Sequence, residues 1–189
     1  MFVFLAVTAT GVVWLLSVYN KLIRMIEAVN NNKSQIDIQL DRRFKVYESL
    51  IEVVKKYMDY EKTTLKEVIA LRTQAQQAQQ TGDEAARVKA EDTISKIGTS
   101  LNLVFEQYPD LKADKNVLQL QEEIVSTENK LTFAKQAYND SIERYLATSK
   151  AFLESVIVSC FPDKLIKQFV YWEVSAADRS KLESYQVKL

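Results

Sequence analysis

The chain starts with an uninterrupted apolar run and continues in a seven-residue repeat of apolar positions. Its first nineteen residues, MFVFLAVTATGVVWLLSVY, carry no charged side chain, and the first charge is Lys21. A helix of that length is about 28 Å long, close to the roughly 30 Å hydrocarbon core of a bilayer. A helix also satisfies every backbone polar group in lipid within a single segment. The pattern therefore predicts a membrane anchor over residues 1–19, whose aromatic side chains are Phe2, Phe4, Trp14 and Tyr19.

A cleaved signal peptide is the alternative interpretation of this segment. The basic amino-terminal region and the Ala-x-Ala site of such a peptide are both missing before Lys21, so we expect an uncleaved anchor. Basic residues follow the segment at Lys21, Arg24 and Lys33. By the positive-inside rule they favour an outside amino terminus and a cytoplasmic location for the bulk of the chain.

Apolar residues then recur in alternating steps of four and three from Leu22 to Ala75. The apolar positions of this register are Leu22, Ile26, Val29, Ile36, Leu40, Tyr47, Leu50, Val54, Tyr57, Val68, Leu71 and Ala75, and the polar ones are Lys33, Arg43, Glu61 and Thr64. A repeat of this kind is typical of a coiled-coil-like helix. Because neither glycine nor proline occurs from residue 12 to residue 81, it predicts one helix that continues from the anchor.

A polar, Gln-rich stretch over residues 73–83 predicts the solvated end of a helical hairpin. Gly82 supplies the break, and Asp83 is a suitable N-cap for a returning helix over residues 84–108. Pro109 ends that helix, because proline disfavours helical geometry in the residue before it. We expect its buried side to comprise Val88, Ile94, Ile97, Leu101, Val104 and Phe105.

A third long helix is expected from Asp114, which suits an N-cap, to about Phe161, where Pro162 stops or kinks it. The remainder holds one apolar patch, made of Leu165, Ile166, Phe169, Val170, Tyr171 and Trp172. We interpret it as a short fourth helix followed by a polar tail. Three locations stay open for the patch: the bundle, the bilayer interface or a neighbouring subunit.

These elements predict an all-α chain in which the anchor continues into a long antiparallel bundle of three or four helices. The bundle is expected over residues 20–161, and the short helix and tail over residues 162–189. Three glycines and two prolines in 189 residues support few, long helices.

Composition argues against several classes of function. The 25 basic and 25 acidic residues cancel, so we expect no nucleic-acid partner. Histidine is absent, which removes the commonest general base and metal ligand. The single cysteine, Cys160, is expected to be a small apolar filler. We therefore expect no catalysis and no cofactor, with a carboxylate-based enzyme as the least favoured hypothesis.

Five charged residues lie on or beside the apolar stripes: Arg42, Arg43, Glu61, Glu106 and Glu128. Such a set suits a carboxylate site for a metal or for acid–base chemistry. It also suits a structural network of interhelical ion pairs that fixes the register of a bundle. The structural network is favoured because arginines are available to neutralise the acids. Tyrosines at helical spacing, such as Tyr138, are expected in the core with a hydrogen-bonded hydroxyl.

Three groups of motifs resemble the LemA family of bacterial membrane-anchored proteins. They are Tyr19-Asn20-x-Leu22 with SQIDIQL-x-RR at 34–43, E-x-YPDLKA at 106–113, and LQLQEEI at 118–124 with TENK at 127–130 and AYND at 137–140. The family usually has prolines near 48 and 153, where this chain has Glu48 and Leu153. Their loss favours longer, straighter helices. The resemblance implies an N-terminal transmembrane segment in a bacterial cell membrane, an all-helical domain and no established enzymatic activity.

The main functional hypothesis is a single-pass membrane scaffold that self-associates. A thin bundle leaves apolar strips that neighbouring copies can cover. The alternative is a monomeric adaptor that positions a peptidase, a signalling protein or a lipid-handling enzyme. The partners expected are the lipid bilayer, further copies of the chain and, for the adaptor, an unidentified membrane protein.

Overall fold

A computed structural model describes residues 1–54, 62–105 and 114–172 of the chain. Its helices are α1 (Phe2–Val54), α2 (Lys62–Thr81), α3 (Glu84–Phe105), α4 (Lys115–Ser149), α5 (Phe152–Cys160) and α6 (Pro162–Leu165). These described ranges contain no strand, which confirms the predicted all-α class.

The predicted register of α1 is confirmed as far as Leu50. Its apolar positions are buried, with relative exposures of 6% or less: Leu22, Ile26, Val29, Ile36, Leu40, Tyr47 and Leu50. Arg43, a polar position of the same register, is buried as well. Steps of three and four place these side chains on one side of a helix, so α1 offers a single continuous stripe for packing.

The prediction of one helix from the anchor to residue 75 is wrong. The Arg72 guanidinium of α2 lies 3.4 Å from the Asp41 carboxylate of α1 and 5.2 Å from the centre of the Phe44 ring. Within one helix, residues 41 and 72 would be about 46 Å apart. Therefore α2 packs back against α1 and does not extend it. The apolar repeat hid this reversal, because α1 and α2 each bury a stripe of the same period.

The hairpin between α2 and α3 has the predicted turn. Gly82 adopts a positive φ of 76°, the left-handed conformation that glycine tolerates best. The Asp83 carboxylate accepts a hydrogen bond of 3.0 Å from the backbone N–H of Ala86, which confirms the N-cap. The glutamines of α2 are exposed, whereas Ala75 and Ala78 between them are buried.

The buried face of α3 differs in part from the predicted one. Arg87, Ala90, Glu91 and Ile94 are buried, while Val88 is half-buried. Leu101, Val104 and Phe105 lie outside the residues whose side chains the structure describes. The buried face includes charged positions because other helices supply residues of opposite charge. The periodicity of a single helix cannot reveal such partners.

The third predicted helix is divided in two. Asp114 caps α4 through a hydrogen bond of 2.7 Å from the backbone N–H of Asn116, as predicted. However, α4 ends at Ser149, and Ala151 is extended, with φ −63° and ψ 147°. The expectation of a longer, straighter helix at this position is therefore wrong, since the helix breaks at residues 150–151 without a proline there. Pro162 begins α6, at a position where its missing N–H costs nothing.

The contacts within the chain divide it into two compact units. The first unit contains residues 1–37 and 133–171, and the second contains residues 38–132 and Trp172. The second unit has a hydrophobic cluster of Val46, Tyr47, Leu50, Ile94, Val117 and Ile124. Both α1 and α4 therefore contribute residues to each unit.

Of the predicted fourth helix and tail, the structure describes residues 162–172, in which α6 is helical and residues 166–172 are not. Residues 173–189 lie outside the described residues. In the first unit, the Tyr145 hydroxyl donates a hydrogen bond to the Leu165 carbonyl, and the Tyr138 hydroxyl donates one of 3.1 Å to Val170. The Phe169 ring meets Tyr145 edge-on, with 5.8 Å between the ring centres. Residues 165–170 thus pack on α4. Of the three locations left open for the apolar patch, this part of it lies on the bundle. Burial raises the pKa of Tyr145 above its ordinary value.

Candidate functional site

The aromatic residues predicted to mark the anchor are exposed in the first unit, except the last. Phe2 and Phe4 are 82% and 74% exposed, and Trp14 is 42% exposed. Burial within the protein begins at Val18, and Tyr19 is half-buried. The most apolar window of α1 is 6% buried, and by length and composition the helix is sufficient to cross a membrane. Protein packing therefore covers almost none of this segment.

The polar side chains of the apolar segment bond to the backbone of their own helix. The Thr8 hydroxyl donates to the Phe4 carbonyl at 3.1 Å, and the Thr10 hydroxyl donates to the Ala6 carbonyl at 2.8 Å. The Ser17 hydroxyl donates to the Val13 carbonyl at 2.9 Å. Hydroxyl groups bonded in this way need no water partner, as a hydrocarbon environment requires.

A second candidate site is a buried polar cluster in the second unit, centred on Arg43 of α1. Its guanidinium donates to the Glu91 carboxylate of α3 and, at 3.2 Å, to the Glu91 backbone carbonyl. It also donates to the Ser95 hydroxyl and lies 3.5 Å from the Glu128 carboxylate of α4. Arg43 thus joins three helices through one planar group, for which the arginine fork is suited.

Arg72 brings α2 into the same cluster. Its guanidinium lies 3.3 Å from the second carboxylate oxygen of Glu91 and 3.4 Å from Asp41. The Glu91 side chain is 2% exposed, and each of its two carboxylate oxygens faces one arginine. The Phe44 ring beneath Arg72 adds a cation–π contact. The cluster consequently links α1, α2, α3 and α4 by charge.

Glu128 closes the cluster on the side of α4. It accepts hydrogen bonds of 3.4 Å from the Tyr47 hydroxyl and from the Ser95 hydroxyl. Burial raises the pKa of Tyr47 well above its ordinary value, and the Glu128 carboxylate adds to that increase. Tyr47 is therefore held as a neutral donor facing an acceptor.

The five charged residues singled out in the sequence have different locations. Arg43 and Glu128 meet in the cluster, whereas Arg42 forms an exposed ion pair of 2.9 Å with Glu123. Glu61 and Glu106 lie outside the described residues.

The sequence pattern missed Glu91, Arg72 and Ser95. One signal was available for α3, since Arg87, Glu91 and Ile94 follow the four-and-three spacing of a buried stripe. No comparable signal identified Arg72, because its burial depends on the reversal of α2 against α1.

The chemistry of the cluster favours structure over reaction. Both Glu91 and Glu128 face arginine, and Asp41 pairs with Arg72. Across the described ranges, no group of three or more His, Cys, Asp and Glu residues is placed to hold a metal ion. Separate from the cluster residues, a groove of about 410 Å³ is lined by residues of α1 and α4: Ser49, Glu52, Val53, Asn116, Gln119, Leu120 and Glu123.

Comparison with known proteins agrees with the motifs noted in the sequence. The sequence model of the LemA family matches residues 32–186. The chain is also similar to the protein LemA of Metamycoplasma hominis, with 27% identity over 168 residues, which cover 89% of this chain and 72% of that protein. These matches include the residues that form the polar cluster. The chain belongs to the LemA family.

Proposed function

We propose that this protein is a membrane-anchored scaffold that self-associates through its helical bundle and carries out no catalysis. The observation that carries the proposal is the exposure of the apolar amino-terminal part of α1. A core helix of a soluble protein would be covered by its own chain, whereas this segment is not. The internally bonded hydroxyls of Thr8, Thr10 and Ser17 support the same environment.

Self-association is supported by exposed apolar residues on α4. Leu118 and Val125, one heptad apart on α4 in the second unit, are 44% and 54% exposed. With about 100° per residue, the two positions fall within about 20° of one another around the helix. A stripe of this kind on an anchored protein is suited to lateral packing against a second copy.

The polar cluster supports a structural role for the bundle. Its arginines and acids come from four helices, so they favour one alignment of those helices over alternatives shifted by a turn. Buried charge is tolerated when it is paired, and setting register is its best-attested use. A scaffold that presents an outer stripe to neighbours requires such a fixed alignment.

The experiment is mass photometry of the purified full-length protein in detergent at micromolar concentration. We expect discrete assemblies larger than the monomer. Val125→Glu places a charge in the stripe and should reduce the assemblies to monomers. Ile69→Glu on α2, where Ile69 is 49% exposed, is the matched control and should leave them unchanged. A monomeric wild-type protein would contradict self-association.

The alternative function is a monomeric adaptor that positions a peptidase, a signalling protein or a lipid-handling enzyme at the membrane. The polar groove beside Glu52 and Glu123 is the surface that supports it. Cross-linking in cells separates the two functions, because homotypic products support the scaffold and heterotypic products the adaptor.

A cytoplasmic location for the bundle follows from the basic residues after the anchor, Lys21, Arg24 and Lys33. Protease cleavage at the exposed α2–α3 turn tests it. We expect cleavage in inverted inner-membrane vesicles and protection in spheroplasts, and the reverse result would place the bundle outside.

A further inference from the structure

The outer face of α5 is apolar and lies beside the end of the anchor segment. Phe152, Leu153 and Val156 are 83%, 52% and 55% exposed, and Ser159 and Cys160 are exposed as well. With about 100° per residue, these five positions fall within about 120° around the helix. None of them is charged, while Ile157 is buried in the protein. The expected packing of Cys160 as a core filler is therefore wrong, because α5 turns that side outward.

Two contacts hold α5 against the part of α1 where protein packing begins. The Phe161 ring, directly after α5, meets the Tyr19 ring edge-on, with 5.1 Å between the ring centres. The Lys21 ammonium lies 3.4 Å from the Glu154 carboxylate. Glu154 is the single charged residue of α5, and its charge is thus neutralised beside the anchor.

These contacts also give the level of α5 along α1. Glu154 lies in the first turn of α5 and Phe161 directly follows the helix, so the regions at both ends of α5 contact residues 19–21 of α1. The helix therefore lies at the level where burial of α1 begins, and its apolar face is exposed.

We propose that α5 is an interfacial helix that places Phe152, Leu153 and Val156 in the boundary between headgroups and acyl chains of the bilayer that α1 crosses. The inference rests on the proposed membrane anchoring and adds a second, peripheral contact with the same bilayer. The occupant is lipid because the anchor brings a bilayer surface to the level of Tyr19, which is the level of α5. Aromatic residues such as Tyr19 and Phe161 suit that depth, and a short apolar face suits an in-plane helix.

The single cysteine gives a direct test. Cys160 lies on the proposed lipid-facing side and is exposed, so the full-length protein accepts one thiol-reactive environment-sensitive fluorophore there. The labelled protein is reconstituted in vesicles of phosphatidylcholine and phosphatidylglycerol. We expect blue-shifted emission, quenching by lipids with a nitroxide near the headgroup, and protection from aqueous iodide.

Two further labelling positions are measured in the Cys160→Ser background. Gln76→Cys, on the exposed side of α2, should be quenched by iodide and not by nitroxide lipids. Val7→Cys, within the anchor, should be quenched by lipids with a deep nitroxide. Adding Val156→Asp to the protein labelled at Cys160 should abolish the lipid quenching at that position, with helix content checked by circular dichroism.

The outcomes separate this inference from the anchor on which it rests. Iodide quenching at Cys160 with lipid quenching at Val7→Cys would overturn the interfacial helix and leave the anchor in place. Protection from iodide at Cys160 without lipid quenching would mean that a second copy covers α5, which also overturns it. Absence of lipid quenching at Val7→Cys would contradict the anchor itself.

Discussion

Arg43 and Glu91 form an ion pair in which each side chain is 2% exposed. The pair connects α1 to α3, and Arg72 of α2 approaches the other oxygen of the same carboxylate. Three helices of the second unit therefore depend on one acidic side chain. This arrangement gives the most direct test of the structural role of the cluster.

Replacing Glu91 with Gln should strongly destabilise the bundle. The change leaves Arg43 and Arg72 without their shared counter-charge, and breaking a buried pair costs about 3–5 kcal/mol. Urea unfolding of the detergent-solubilised protein, followed by circular dichroism, measures this loss. Glu123→Gln is the control, because the Arg42–Glu123 pair is exposed and contributes less than about 1 kcal/mol. Equal stability of the two variants would contradict the cluster.

Tyr47 should make the protein sensitive to alkaline pH. Burial raises the pKa of Tyr47 in the folded protein, whereas the unfolded chain has the ordinary value of about 10. Above that pH the unfolded chain loses the proton first, so the folded state loses stability as pH rises, by up to about 1.4 kcal/mol per pH unit for this group. Below pH 10 both the folded and the unfolded chain keep the Tyr47 proton, so the contribution of Tyr47 to the stability of the folded state is fully present.

The measurement compares wild type and Tyr47→Phe by urea unfolding at pH 9 and pH 11. We expect the variant to lose less stability between these values than the wild type. An identical loss in both proteins would show that Tyr47 does not titrate differently on folding.

Trp172 should contribute strongly to the stability of the second unit. Its side chain is 1% exposed, and its ring centre lies 5.9 Å from the guanidinium carbon of Arg87. Trp172→Ala should lower the free energy of unfolding by about 3–5 kcal/mol, because it opens a cavity where the buried indole ring was. Ile166→Ala, at a side chain that is 60% exposed, should change it by less than about 0.5 kcal/mol.

Gly82 should be sensitive to a single methyl group although space surrounds it. A Cβ at this position would meet nothing within 4 Å, but φ is +76°. Gly82→Ala should therefore cost about 1 kcal/mol through backbone strain alone. Gly11→Ala is the control, because Gly11 also has open space and lies within α1 without a positive φ. No difference between the two variants in urea unfolding would argue against the left-handed turn.

Local patterns were sufficient for much of the fold. The steps of three and four from Leu22 to Leu50 identified the buried stripe of α1, because a helix places those residues on one side whatever packs there. Asp83 and Asp114 identified helix starts, because their carboxylates accept hydrogen bonds from nearby backbone N–H groups. Gly82 identified a helix end, because a residue without a side chain tolerates the left-handed turn. The motifs at 34–43 and 118–140 identified the family.

The reversal of α2, the break before α5 and the partners of Arg43 were decided by tertiary structure. Arg72 of α2 meets Asp41 and Phe44 of α1 although neither glycine nor proline occurs from residue 12 to residue 81. The helix α4 ends at Ser149, well before Pro162. By itself the sequence determined the all-α class, the buried stripe of α1 and the position of the apolar segment at its start, since these depend on short-range periodicity. Only the tertiary structure decided which charges pair and which apolar face stays exposed, because both depend on side chains brought together from distant parts of the chain.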